Sequence, residues 1–165
     1  MKRLIPAAAL IAVALLTAAI LSASGSAQGT GEQTITLIER DPEGFAQVID
    51  NPPRAGRELF RGGRVSIGDA LAFHQPLRSR AGRRVGSLDV SCTATQGGSF
   101  ERAGFSCHGA YALKRGSITA QATFGAGRPE RIAVTGGTGV YEGAAGSVKD
   151  TERRGTTTVR IHLLG

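Results

Sequence analysis

From Ile35 onward, apolar and polar residues alternate with period two, β-branched residues recur, and glycine interrupts each run before a helical repeat is established. The pattern predicts an all-β chain. Strands are expected at 34–40, 66–77, 84–95, 105–115, 117–124, 131–136, 144–153 and 156–164, with a long connection over 41–63 that contains Pro52 and Pro53. Each strand has a single apolar face. Leu88, Val90, Cys92 and Ala94 lie opposite Ser87, Asp89, Ser91 and Thr93, and Ile118, Ala120, Ala122 and Phe124 lie opposite Ser117, Thr119, Gln121 and Thr123. Eight one-faced strands in sequence predict an eight-stranded antiparallel up-and-down β-barrel, whose closure also removes exposed sheet edges.

The pattern before Ile35 is different. Lys2 and Arg3 precede an apolar run from Leu4 to Leu21, followed by the small residues "SASGSA" at 22–27. This is the layout of a secretory signal peptide, 1–27, with cleavage expected after Ala27 and next after Gly25. An uncleaved anchor is the alternative, because the apolar run approaches spanning length. Residues 28–34 are expected to be a flexible leader and 35–165 one barrel domain, secreted and without stable membrane insertion.

Charge narrows the partners. The chain carries +7, and without Lys2 and Arg3 it keeps 18 basic against 13 acidic residues, or +5. That excess is scattered, with no basic block and no aromatic residues set among the arginines, so a nucleic-acid partner is not expected. His74, His108 and His162 fall on outward parity without ligand spacing, which argues against a metal site.

Cys92 and Cys107 are the only cysteines, and an oxidising compartment favours their pairing. If 96–104 turns the hairpin symmetrically, Thr95 faces Gly104 and Cys92 lies directly across from Cys107 on the apolar face. The alternative is a pair of free thiols, one of them reactive.

The stretch "IAVTGGTGVYEGAAG" at 132–146 resembles the glycine-rich turn that opens a dinucleotide-binding domain. However, Glu142 occupies the third glycine position, and the residues after Gly139 alternate like strands, leaving no helix N-terminus to hold a phosphate. No cofactor is expected. Gly136, Gly137, Gly139 and Gly143 are read instead as a structural turn.

The segments "GDALAFHQPL", "RRVGSLDVSC", "GSITAQATF" and "IAVTGGTGVYEGAAGSV" resemble, in order and spacing, the allene oxide cyclase and dirigent-protein barrels, above all their secreted bacterial relatives. The resemblance covers about 33–165 and is most specific in the last segment. It implies a calycin-type barrel with a hydrophobic central cavity and, by likeness to the trimeric plant members, a homo-oligomer. It places Leu71, Phe73 and Gln75 on the cavity-facing strand and Cys92 at the position of a catalytic-site cysteine. Aligning "IERD" with the plant "NERD" puts Thr36 where the family carries its first-strand glutamate, with Glu39 on the opposite face.

The expected ligand cavity therefore comprises Leu71, Phe73, Gln75, Val90, Cys92, Tyr111 and Phe124, with Tyr111 a candidate hydrogen-bond donor. Asp150 and Glu152 share the parity of Val148, so that both facing inward would create a perturbed carboxylate pair. Two classes of function follow. One is a secreted module binding a small hydrophobic molecule; the other is an isomerase or dirigent-like guide acting on a reactive molecule. The missing glutamate favours the first.

Overall fold

The computed structural model describes residues 31–51, 64–125 and 132–165; the signal-peptide reading and Pro52–Pro53 fall outside them. Among the described residues there are eleven strands: β1 (Gln33–Arg40), β2 (Phe45–Ile49), β3 (Arg64–Val65), β4 (Ala70–Arg78), β5 (Arg84–Gln96), β6 (Gly98–Ser99), β7 (Gly104–Leu113), β8 (Gly116–Phe124), β9 (Ile132–Gly137), β10 (Gly146–Arg153) and β11 (Thr156–Leu163). The main sheet runs β1-β11-β10-β9-β8-β7-β5-β4-β2, and a β1–β4 pairing closes it into an eight-stranded antiparallel barrel. Neighbours in sequence are neighbours in the wall, as an up-and-down meander requires.

The ninth member of the sheet is not an extra stave. β2 pairs with β4 at Phe45↔His74 through Ile49↔Ala70, and β1 meets the same strand further along at Ile38↔Arg78. β1 and β2 are thus one barrel strand interrupted by a 3-10 turn at Asp41–Glu43. Pro42, lacking an N–H, favours the interruption. Gly44 follows it in extended conformation, and the absence of a Cβ there leaves room for the Gln75 side-chain amide. The long connection expected over 41–63 therefore contains a strand in its first part.

β4 begins later than the expected 66–77 for a local reason. Asp69, 1% exposed, accepts the backbone N–H of Ser66 at 2.7 Å and of Asn51 at 3.0 Å, holding 66–69 as a turn. At the same end, β3 and β6 form a small separate sheet that alternation did not indicate.

The interior divides along the axis. Leu37, Leu77, Leu88, Ile118, Val134, Val148, Val159, Ile161 and Leu163 pack one half with aliphatic side chains. Toward the other end the walls carry Cys92, Ala94, Phe105 and Cys107, with Leu71, Phe100 and Phe124 partly buried around them. The aliphatic half is the more closely filled, and open space lies toward the aromatic half and its border with Leu88.

Candidate functional site

The alternation that builds the barrel wall also aims the side chains of the site. Cys92 on β5 lies directly opposite Cys107 on β7, with 4.0 Å between Cα atoms, and the two form a disulfide on the interior face. The hairpin register shifts by one between Ala94 and Gln96, beyond the bridge, so the expected pairing survives the irregular turn. With its sulfur in the bridge, Cys92 offers no thiol to act as nucleophile or proton donor.

Two connected hollows occupy the aromatic half. The outer one, about 460 Å³, is lined by Leu71, Phe73, Cys92, Phe100, Phe105 and Phe124, with Glu101 at its edge. The inner one, about 80 Å³, shares Phe73, Cys107 and Phe124 with the first and reaches Leu88, Val90, Tyr111, Ile132 and Asp150. Phe100 and Phe105 stand at 5.7 Å between ring centroids with planes tilted by 51°, a favourable aromatic arrangement.

Six of the seven expected cavity residues, Leu71, Phe73, Val90, Cys92, Tyr111 and Phe124, line these hollows. Gln75 lines neither: its amide donates to the Arg40 carbonyl at 2.7 Å, tying β4 to the break in the first strand.

Sequence reasoning missed the polar centre of the site. Glu39 shares the parity of Leu37, which is buried inside the barrel, so it belongs to the interior face of β1. Its pKa is raised from 4.5 to about 7, first by burial and then by the negative charges of Asp150 and Asp41. One carboxylate oxygen, Oε1, is shielded from solvent and has no hydrogen-bond partner. Asp150, which lines the inner hollow, is exposed at its surface, yet enough protein surrounds it for desolvation to raise its pKa as well. Burial, with the charges of Asp150 and Glu39 behind it, pushes the Tyr111 phenol far up, so Tyr111 stays protonated as a donor.

The perturbed carboxylates are thus Asp150 and Glu39. Glu152 is exposed beyond the cavity lining. Thr36 faces away from the cavity: Arg80 donates to its hydroxyl at 3.4 Å, and its cross-strand partner is Arg160. Aligning the first strand on "ERD" therefore pointed to the wrong residue for an interior acid. The signal available in sequence was the parity of Glu39 with Ile35 and Leu37.

A third hollow, about 500 Å³, is an open groove on the outer wall. It contains His74, whose Nδ1 lies 2.6 Å from Asp89 and whose ring stacks on Phe45 at 5.6 Å between centroids. Its polar groups are spread over outward positions, whereas those of the interior converge. The interior is accordingly the stronger candidate site. Among the described residues no group of His, Cys, Asp and Glu could hold a metal ion.

The glycine-rich stretch forms β9, a 3-10 turn at Gly139–Tyr141, and the approach to β10. Gly139 and Gly143 adopt φ of 63° and 73°, in the left-handed region that favours glycine. A Cβ on Gly137 would collide with the Tyr141 carbonyl and come within 2.7 Å of that of Ser117, whereas one on Gly136 would meet only the Thr119 side-chain hydroxyl, at 3.3 Å, a tight contact relieved by a small shift of that side chain.

No family model matches the sequence, and no curated protein does. Solved structures do match. Pyocyanin demethylase is similar with a TM-score of 0.58 and 22% identity, over 79% of this chain and 99% of that one. AbnU, described as an exo-specific intermolecular Diels-Alderase, gives 0.55 and 14% over 82% of this chain and 99% of its own. The Diels-Alderase AbmU from Streptomyces koyangensis gives 0.51 and 12% over 99% and 83%. The shared barrel fold is what these likenesses establish. Allene oxide cyclase is not among the three, and that resemblance rests on the sequence segments alone.

Proposed function

We propose that the protein binds one small, flat, hydrophobic molecule inside its barrel and that it does so after secretion. The observation carrying this reading is the outer hollow of about 460 Å³, walled by four phenylalanines and a disulfide and ending on a short set of polar groups. Mostly apolar walls with a few converging polar atoms are the usual composition of a small-molecule site. The names of the neighbouring barrels, a demethylase and two Diels-Alderases, denote enzymes acting on small molecules and support the same use of the interior.

N-phenyl-1-naphthylamine, an uncharged dye that fluoresces in apolar surroundings, provides the test. Saturable binding of about one equivalent is expected, and Leu71→Trp, which fills the outer hollow, should weaken it roughly tenfold or more. Absence of saturable binding, or binding indifferent to Leu71→Trp in a folded variant, would overturn the reading.

A second reading, an isomerase or guide acting on a reactive molecule, is favoured by Glu39. A carboxyl with a pKa of about 7 is partly protonated at neutrality, which suits it to give or take a proton. On this reading Glu39 is the proton donor and acceptor, Tyr111 a fixed hydrogen-bond donor, and the narrow walls hold the reactant in one folded shape. Assembly into a homo-oligomer is a further proposal, resting on the sequence resemblance. A single-chain mass in sedimentation at micromolar concentration would remove it.

A further inference from the structure

We propose that the barrel interior selects a flat aromatic molecule bearing a positive charge, such as a protonated or N-alkylated nitrogen heterocycle, with its charged nitrogen toward Asp150 and Glu39. This inference rests on the interior being a small-molecule site. The chain carries 20 lysines and arginines against 13 acidic residues, yet among the described residues none of those cations lines either hollow. The acidic residues Glu101 and Asp150 line the outer and inner hollows respectively, and the one titratable base in either lining is His108, an exposed residue of the inner one. The interior is thus negative within a molecule whose net charge is positive.

Two features give that field a direction. Glu39 Oε1 has neither solvent nor a hydrogen-bond partner, so it is an acceptor awaiting a donor. Asp150 and the Tyr111 phenol both line the inner hollow, and Glu39, on the interior face of β1 with only β11 between it and β10, stands near enough to feel the charge of Asp150. At the other end, Phe73, Phe100, Phe105 and Phe124 present ring surfaces whose negative faces attract cations. Holding the shielded Glu39 carboxylate beside the charge of Asp150 without a counter-cation is unfavourable. The free protein relieves this by holding a proton on Glu39; a cationic occupant relieves it by bringing its own charge. The same arrangement repels anions, so fatty acids and aromatic carboxylates are excluded by charge even where their shape fits.

Three two-ring probes of similar size separate the possibilities: N-methylquinolinium, 2-methylnaphthalene and 2-naphthoate, measured by equilibrium dialysis at pH 8. The cation should bind roughly tenfold or more tightly than the neutral probe, with the anion weakest. In the double variant Glu39→Gln, Asp150→Asn, the cation should fall to within about threefold of the neutral probe. Glu39→Gln alone, which keeps the side-chain shape, should give an intermediate ratio and serves if the double variant misfolds. Equal binding of cation and neutral probe by the native protein, or a preference that persists when both charges are removed, would overturn the inference. In either case binding of the neutral probe would leave the small-molecule reading standing, whereas failure of all three probes to bind would overturn both.

Discussion

Replacing Glu39 by glutamine should make the protein more stable, and only at neutral and alkaline pH. In the unfolded chain the carboxyl loses its proton near 4.5; in the folded barrel it does so near 7. Below 4.5 both states hold the proton, and Glu39 carries no ionisation penalty. As pH rises from 4.5 to about 7, the unfolded chain releases the proton first, so the folded state binds more protons and stability falls with pH. Above that window the loss is complete. The gap, at roughly 1.4 kcal/mol per pH unit, corresponds to about 3 kcal/mol. Glutamine has the same shape and no charge, so the variant should match the native protein at pH 4 and exceed it by about that amount at pH 8. For a domain of this size that is roughly 10 °C in Tm. Urea unfolding of both proteins at pH values from 4 to 8.5 measures the difference directly. A difference that stays constant over this range, or a variant weaker than the native protein at pH 8, would refute the placement of Glu39 in an enclosed, negatively charged site.

Further outcomes are expected elsewhere. Replacing Cys92 and Cys107 together with alanine should lower stability by about 2–5 kcal/mol in urea unfolding, and a thiol assay on unreduced native protein should find no free thiol. Asp69→Ala removes the acceptor of two backbone N–H groups at a nearly sealed position and should cost about 2–4 kcal/mol, measured the same way. Gly137→Ala, which drives a methyl group against two carbonyl oxygens, should cost at least about 2 kcal/mol, whereas Gly136→Ala next to it should cost less than about 1 kcal/mol. Intact mass of protein recovered from the growth medium should correspond to a chain starting near Gln28; retention of 1–21 in membranes would contradict secretion.

The wall of this barrel was readable in the sequence because a strand writes its two faces directly as alternation. From β5 to β11 the expected strands lie within a few residues of the observed ones, and the Cys92–Cys107 pairing followed from counting along that hairpin. The first quarter was less legible. There the strand is broken by a proline and a glycine, and its second half pairs with β4, a partner that local alternation does not name. The site divided in the same way. Its apolar lining is a property of each strand taken alone, so Leu71, Phe73, Val90, Tyr111 and Phe124 were found. Its acids are a property of closure: Glu39 and Asp150 are separated by 111 positions and act on one another only because β11 lies between β1 and β10. An alignment to "ERD" considered Glu39 against a family position, whereas its neighbours Ile35 and Leu37 already placed it inside.

The interrupted first strand makes the barrel a hoop with a clasp. Around most of the circumference neighbouring staves are laced along many residues, and one such join, β5 with β7, is also riveted covalently. Between β1 and β4 the lacing shrinks to Ile38↔Arg78 before β2 takes over. The clasp there is Glu43, which accepts from Arg78 Nε at 2.8 Å and lies 3.9 Å from Arg40. Arg78, by its hydrogen bond, holds the Glu43 carboxyl below its ordinary range, so the fastening outlasts moderate acid. On heating, the hoop should part at this join while the riveted staves keep their order, so amide exchange at Ile38 and Arg78 is expected to run ahead of that at Cys92 and Cys107.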